Sequence, residues 1–328
     1  MENFYNVSVA MNPSGWADDE NNDLGESYTA EFILDEIMNL GFSAIEMCHK
    51  FPNNSKELTP LLAERGLVLA SGWADVLFID AEYETEYMES LIEQAEFLKT
   101  MGCRYVICCE VGNSSNMDPR NNRTEKDVVK LNDEQYKRLA QNLSVAGRRI
   151  KEMGMELVYH VHAGTVIETF EETKKLLSLC EDGTLYILAD TGHQLYCNED
   201  PLEYIKSLLP YIKYIHLKDV RADILSICRE YKMSFKNAAR NNVFTVPGDG
   251  DIDFISIINY LKEVKYQGWI VVEAEQNPKY ANPHEYGQKA VNYMEDVLKL
   301  PVVNPLLSFK KNIQKEEYIY EIWQYSRY

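Results

Sequence analysis

Along this chain short apolar runs alternate with longer amphipathic stretches, and the alternation repeats eight times. The runs are Tyr5–Ala10, Ala44–Cys48, Leu67–Gly72, Tyr105–Glu110, Glu156–His160, Leu185–Asp190, Tyr214–Leu217 and Trp269–Glu273. Rich in Val, Ile, Leu and Tyr, they have the composition of parallel strands buried on both faces. Helical patterns fill the intervals at Thr29–Leu40, Lys56–Arg65, Glu84–Met101, Asp133–Met153, Glu168–Cys180, Pro201–Leu209, Phe254–Lys265 and His284–Leu300. The first four end at Gly41, Gly66, Gly102 and Gly154, the residue type that stops a helix and hands the chain to the next strand. Strands and helices in strict alternation predict an α/β fold with a closed parallel sheet, a (β/α)₈ barrel of the TIM type. An open, doubly wound sheet would carry a G-x-G-x-x-G turn after an early strand. Gly112, Gly248 and Gly250 are instead isolated loop glycines.

The pattern assigns residues 1–300 to a single barrel domain, with a long connection after the seventh strand over 219–253. The middle of that connection, Ala222–Arg240, has helical spacing, and it ends in the turn-rich segment Val246-Pro247-Gly248-Asp249-Gly250. A second long connection, Val111–Lys130, is rich in Asn, Asp and Ser. Connections of this length in a barrel are usually lids or binding loops. Residues 301–328 form a C-terminal extension with Lys310-Lys311 and an aromatic end, Tyr318–Tyr328, expected to pack on the barrel or on a neighbouring subunit of a homo-oligomer.

Barrel enzymes place their chemistry at the C-terminal ends of the strands, and the polar residues found there are not a random set. The second run ends at Glu46, the fourth at Glu110 and the fifth in His160-Val161-His162. The sixth ends in Asp190-Thr191-Gly192-His193, the seventh in His216-Leu217-Lys218-Asp219, and the eighth in Glu273-Ala274-Glu275. Five of the six histidines sit at strand ends, and only His284 does not. Residues two apart share one face of a strand, so His160 with His162, His216 with Lys218, and Glu273 with Glu275 converge if the barrel closes. Imidazole nitrogens and carboxylate oxygens brought together suit a divalent ion such as Zn²⁺, Mn²⁺, Co²⁺ or Fe²⁺. The expected ligands are His160 or His162, with Asp190, His216 and Glu273. Lys218 in such surroundings would bind a substrate oxygen, stabilise an enolate or act as a base, or else form an ion pair with Asp190 or Asp219.

Charge and cysteine usage narrow the class. A formal net charge of −19 disfavours nucleic acid as a partner. No stretch has the length of uninterrupted apolar sequence that spans a membrane, and the N-terminal residues lack the form of a secretory signal, so a cytoplasmic location is expected. Cys48, Cys103, Cys108, Cys109, Cys180, Cys197 and Cys228 are an odd number and include no C-x-x-C pair, which points to free thiols.

The motifs at these strand ends resemble those of the xylose isomerase-like barrel superfamily, which includes sugar epimerases and endonuclease IV. Within it the resemblance is to the inosose dehydratases, enzymes of myo-inositol catabolism that act on 2-keto-myo-inositol. It runs through Asn12-Pro13 with Trp16, Lys50-Phe51-Pro52, Ser71-Gly72-Trp73, Tyr159–Thr165, Asp190–His193, His216–Arg221, Phe244–Gly250 and Val272–Gln276. The loop Phe-Thr-Val-Pro-Gly-Asp-Gly is the most specific of these. Two departures stand out: the fifth-strand motif usually reads His-His-His-Met-Gly-Thr, and here Val161 and Ala163 replace its middle His and its Met. The tail beyond Leu300 is also longer than usual.

The resemblance implies a metal-dependent lyase that removes water from a polyhydroxylated cyclohexanone, with Mn²⁺ or Co²⁺ as the expected cofactor and Zn²⁺ chemically compatible. It places Asp190, His216 and Glu273 at metal-ligand positions and His160 where many superfamily members carry a glutamate ligand. His193 and Lys218 fall at substrate-facing positions. Lys218 and Glu273 are the candidate bases, with His193 or His162 as the acid. Asn12, Trp16, Glu46, Lys50, Trp73, Glu110, His162 and Glu275 are candidate substrate contacts. A ketose 3-epimerase or isomerase of the same superfamily is the alternative, followed by a non-catalytic sugar-binding barrel. Phosphodiester cleavage of the endonuclease IV kind is disfavoured by the charge.

Overall fold

The structure, a computed structural model, describes residues 7–19, 21, 23–114, 117–118, 130–304 and 306–307. The first two residues of the first predicted strand, most of the expected loop 111–130, and the Lys310-Lys311 and Tyr318–Tyr328 features of the tail lie outside the described residues.

Among the described residues eleven strands occur, in the order β1 Val7–Met11, β2 Ala44–Ile45, β3 Val68–Leu69, β4 Trp73–Val76, β5 Tyr105–Glu110, β6 Glu156–His160, β7 Tyr186–Asp190, β8 Ile212–Leu217, β9 Asp219–Val220, β10 Phe244–Thr245 and β11 Gly268–Val272. Nine of them form one sheet in the order β3-β2-β1-β11-β8-β7-β6-β5-β4, and every pairing within it is parallel. The two ends of that order are consecutive in the chain. Residues 70–72, between β3 and β4, also bond to both sides: Ala70 N donates to Ile45 O (2.8 Å), Met47 N to Ser71 O (3.0 Å) and Ile107 N to Gly72 O (3.2 Å). The sheet therefore closes through this segment.

The expected third strand, Leu67–Gly72, is thus corrected to two short pieces. β3 pairs with β2, and β4, which begins just past the expected end, pairs with β5, so the chain must shift partners between them. Gly72 sits at that shift, where an added Cβ would fall 2.9 Å from Gln94 Nε2 and 3.1 Å from both Leu98 Cδ2 and Met47 Cβ. No larger residue fits there without displacing its neighbours.

The helices follow the predicted intervals: α1 Ala30–Asn39, α2 Ser55–Ala63, α3 Glu84–Thr100, α4 Asp133–Glu152, α5 Phe170–Leu179, α6 Thr191–Tyr196, α7 Pro201–Leu208, α8 Ala222–Glu230, α9 Phe235–Arg240, α10 Phe254–Glu263 and α11 Pro283–Asn292. Gly41, Gly66, Gly102 and Gly154 all carry positive φ, between 62° and 101°, as helix-stopping residues should. The connection after β8 holds α8 and α9, broken at Tyr231–Ser234 where a single helix was expected, and the antiparallel pair β9/β10. Helix α6 was not expected; Asp190 caps it by accepting from Gly192 N and His193 N. No disulfide joins the described cysteines, and no helix among the described residues is long and apolar enough to cross a membrane.

Inside the barrel, Ala10, Ala44, Ala70, Tyr105, Ile107, Val158, Leu188, Tyr214 and Val271 form one apolar cluster. It is the plug on which the polar layer at the strand ends rests. A much larger core between the strands and the helices holds the barrel wall together.

Candidate active site

Alternation along each strand decides what reaches the barrel mouth. Two residues beyond Ala10, Ala44, Val158, Leu188, Tyr214 and Val271 of the inner apolar cluster stand Asn12, Glu46, His160, Asp190, His216 and Glu273, on the same inward face. Two further residues bring in His162, Lys218 and Glu275. Apart from half-buried Asn12, none of these is more than 6% exposed. A cavity of about 350 Å³ opens above them, lined by Asn12, Glu46, Trp73, His160, His162, His216, Glu273 and Glu275 together with the loop residues Asp18 and Asp19 and with Asp75 of β4.

His216 is held among three carboxylates. Its Nδ1 lies 2.8 Å from Glu273 Oε2 and 3.5 Å from Asp190 Oδ2, and its Nε2 lies 3.2 Å from Glu46 Oε2. Asn12 Nδ2 donates to the same Glu46 oxygen at 2.7 Å. Burial works against a proton on His216, but Glu273 and Glu46 outweigh it and hold the pKa well above the ordinary range.

Lys218 has no exposed surface. Its ammonium lies 2.6 Å from Glu275 Oε1, 2.9 Å from Glu273 Oε2, 3.2 Å from Asp190 Oδ2 and 2.9 Å from His193 Nε2. Burial opposes its charge, but Asp190, Glu273 and Glu275 raise its pKa well above the ordinary value. Burial likewise raises Asp190, yet Lys218 and His193 outweigh it and hold that carboxyl well below its ordinary range.

Every residue of the Asp190–His193 motif serves this lysine. Asp190 and His193 meet its ammonium, and Thr191 Oγ1 accepts from Lys218 N (3.0 Å) and donates to Lys218 O (2.7 Å). Gly192 lies against its stem, where a Cβ would come within 2.6 Å of Lys218 Cγ.

His160 is different. Neither of its ring nitrogens makes a hydrogen bond; Asp190 Oδ2 lies 3.6 Å from Nε2. Burial, the largest influence, pushes its pKa down to about 3, so the ring is neutral. Asp190 Oδ2 faces both this ring and the Lys218 ammonium, 3.2 Å away. One nitrogen of a neutral imidazole holds a lone pair, and leaving it buried and unbonded is costly unless a donor or a cation reaches it. Potential ligand atoms of Asp190, His216 and Glu273 lie within 4.8 Å of one another, as do those of His160, Asp190 and His193. This nitrogen and oxygen donor set fits a divalent ion of the Mn²⁺, Co²⁺ or Zn²⁺ kind.

Three sequence-predicted contacts are not brought to the cavity. Ile107 lines it, so Glu110, three residues on, falls on the opposite face of β5. There its carboxylate accepts from Phe78 N (2.6 Å), Ile79 N (3.2 Å) and Gly112 N (2.8 Å), a loop-building role. Trp16 is buried outside the cavity, beside Met11, Val246, Gln276 and Tyr286. Lys50 donates to Glu26 O at 3.1 Å. Trp73 does line the cavity, with its ring edge-on to His160 and His162.

Strand-end reasoning missed Asp18 and Asp19, because loop residues carry no periodicity, and Asp75, because β4 lies beyond the expected strand end at Gly72. His49 bonds to Asp19 at the cavity rim through both its backbone N–H and its ring. Asp219, offered by the sequence as a partner of Lys218, instead accepts from the backbone N–H groups of Val220, Gly248, Gly250 and Ile252. It folds the connecting loop rather than pairing with the lysine.

Comparison with known proteins follows this geometry. A family described as xylose isomerase-like TIM barrel matches residues 34–297. A protein of Geobacillus kaustophilus named inosose dehydratase is 41% identical over 287 residues, covering 88% of this chain and 93% of that protein. An inosose dehydratase of Clostridium perfringens is 38% identical, covering 89% of this chain and 97% of its own length. Among solved structures, the IOLI protein with a bound zinc atom superposes with a TM-score of 0.65 at 18% identity, over 89% of this chain and 98% of that one. A probable 3-DHS dehydratase of Bacillus anthracis gives 0.67 at 14% identity, over 88% and 98%. These two likenesses concern the fold alone.

Proposed function

The chain belongs to the xylose isomerase-like TIM-barrel family and, within it, to the inosose dehydratases, and from that membership we propose that it is a metal-dependent carbon–oxygen lyase that dehydrates 2-keto-myo-inositol to a trihydroxycyclohexane-dione. The observation that carries the reading is the convergence of Asp190, His216 and Glu273 beside the unpartnered nitrogens of His160, at the floor of a cavity that opens to substrate. Those four residues would hold the ion, Mn²⁺ or Co²⁺ by family expectation. A bound divalent ion supplies electrophilic stabilisation of the negative charge that develops on the ketone oxygen.

The rest of the chemistry belongs to the chain. Six carboxylates, Asp18, Asp19, Glu46, Asp75, Glu273 and Glu275, line the cavity, and no lysine or arginine does so among the described residues. That favours an uncharged polyol over a phosphorylated or carboxylated substrate. Asn12 and Glu46 are placed to bind ring hydroxyls, and Trp73 offers an apolar face to ring C–H groups. His162 Nδ1 contacts the carbonyl of Ala163 at 2.8 Å, so Nδ1 carries the proton and Nε2 is the accepting nitrogen. In our reading His162 Nε2 takes the proton α to the ketone, the ring C=C forms as the β-hydroxyl leaves with that same proton as water, and the resulting enol ketonises to the dione. Lys218 and His193, sealed behind the cavity wall, keep positive charge and a fixed dipole next to the developing enolate without touching solvent. Glu273 and Glu275 orient both.

Incubation with 2-keto-myo-inositol in D₂O, followed by NMR, tests the reaction type. Loss of water to a trihydroxycyclohexane-dione or its enol supports the dehydratase. Return of deuterium to an intact ketone ring would instead support an epimerase or isomerase.

A further inference from the structure

The ammonium of Lys218 has four acceptors and three protons to give them. One carboxylate oxygen from each of Asp190, Glu273 and Glu275 and the Nε2 atom of His193 surround it at 2.6–3.2 Å. Such a shell of hard and borderline donors on every side is what a small cation collects. The group lies between two sets of potential ligands. Asp190, His216 and Glu273 are one; His162, His193 and Glu275 are the other, again with their ligand atoms within 4.8 Å of one another. Glu275 Oε1 is 3.6 Å from His162 Nε2 and 3.7 Å from His193 Nε2. The rings of His162 and His193 lie against each other at a tilt of 46°, with centroids 3.7 Å apart. Glu275 is 6% exposed, yet its Oε2 makes no hydrogen bond, and neither does His193 Nδ1.

We propose that the Lys218 ammonium fills the second cation position of a two-cation centre, and that removing it opens the His162–His193–Glu275 set to a second divalent ion. This rests on the reading that Asp190, His216, Glu273 and His160 hold the first. Asp190 and Glu273 face both positions, since each also lies within 3.5 Å of His216 Nδ1. The lysine cannot drift out of the position. Its backbone N–H and carbonyl are both bonded to Thr191 Oγ1, and its stem is flush against Gly192. The arrangement gives one exchangeable cation and one that cannot dissociate. Four buried carboxylates, Glu46, Asp190, Glu273 and Glu275, meet one lysine here, so a single divalent ion brings their sum to about one negative charge. The fixed ammonium also keeps the occupancy at one metal where the donor count alone would admit two.

The test is metal stoichiometry. Wild-type protein, Lys218→Met, Lys218→Gln and the double variant Lys218→Met/Glu275→Gln are stripped, dialysed against Mn²⁺ and analysed for Mn²⁺ per chain, with electron paramagnetic resonance to detect a coupled pair. Methionine keeps the stem against Gly192 while removing the charge. The inference expects one Mn²⁺ in the wild type, two in the single variants with the signal of a coupled pair, and one again in the double variant. A single variant that folds only when Mn²⁺ is supplied supports it too. One Mn²⁺ in both wild type and single variants overturns this inference alone, since the lysine would then merely share the first ion's carboxylates. No Mn²⁺ in the wild type overturns the metal-centre reading and this inference with it. Single variants that fail to recover their fold even in Mn²⁺ also overturn it, because a divalent ion would then not replace the ammonium.

Discussion

The hydroxyl of Thr191 bonds both backbone groups of Lys218, at 3.0 Å to its N–H and 2.7 Å to its carbonyl. One side chain from the end of β7 thus sets the height at which the lysine leaves β8. Thr191→Val keeps the shape and removes the bonds, leaving the Lys218 N–H buried without that partner. We expect a loss of about 1–3 kcal/mol in urea unfolding together with a fall in kcat, whereas Thr191→Ser stays close to wild type in both. Equal stability of the Val and Ser variants would show that the bond does not position the lysine.

Gly192→Ala tests the stem. The new Cβ would fall 2.6 Å from Lys218 Cγ and 2.8 Å from its Cδ. Gly192 is not among the positive-φ glycines, so the cost is one of space, and it falls on a side chain that can move. The variant is expected to remain folded by circular dichroism but to lose most of its kcat. Full activity would mean that the position of the ammonium is unimportant.

The loop after β10 hangs on Asp219. Its two oxygens accept from four backbone N–H groups, at 2.9–3.0 Å. Asp219→Asn turns an NH₂ group toward two of those donors, so we expect about 1–3 kcal/mol of destabilisation and faster hydrogen exchange confined to residues 246–252. Exchange that stays uniform across the chain would count against this role.

Fold class and most of the inner face of the site were legible in the sequence because they obey period two. His160, Asp190, His216 and Glu273 are strand-end residues in phase with the apolar residues that precede them, and a closed barrel turns that phase inward. The same rule, applied with more care at β5, would have excluded Glu110, which is three residues from Ile107 and therefore out of phase with it. The break in the third strand was not legible, since it is imposed by closure, when one segment must pair with two different neighbours. Trp16 and Lys50 lie in loops, where a motif fixes identity but not direction. Asp18 and Asp19 were missed for the same reason, and Asp75 because β4 lies beyond the expected strand end at Gly72.

Glu199 provides a pH test away from the site. Burial raises its pKa, the N–H of Phe170 lowers it, and Glu172, Glu168 and Glu171 raise it further, for a net upward shift. A raised carboxyl contributes stability below its unfolded pKa, and that contribution is lost as pH rises through the folded value. At neutral pH the ionised group is therefore a cost. Glu199→Gln keeps the acceptor for Phe170 N, now 2.7 Å away, and removes the charge. Its Tm should exceed that of the wild type by about 1–2 °C at pH 7, and the difference should vanish below about pH 4. A difference that persists in acid would contradict the assignment.

The central claim is that a divalent ion at Asp190, His216, Glu273 and His160 drives dehydration of an inosose. The direct measurement is ultraviolet absorbance on adding 2-keto-myo-inositol to metal-stripped protein, before and after Mn²⁺ or Co²⁺ is restored. The account predicts no dione or enol absorbance without metal and a steady rise with it, abolished by Asp190→Asn. Silence with every divalent ion, in protein shown to be folded and to bind the ion, would contradict it.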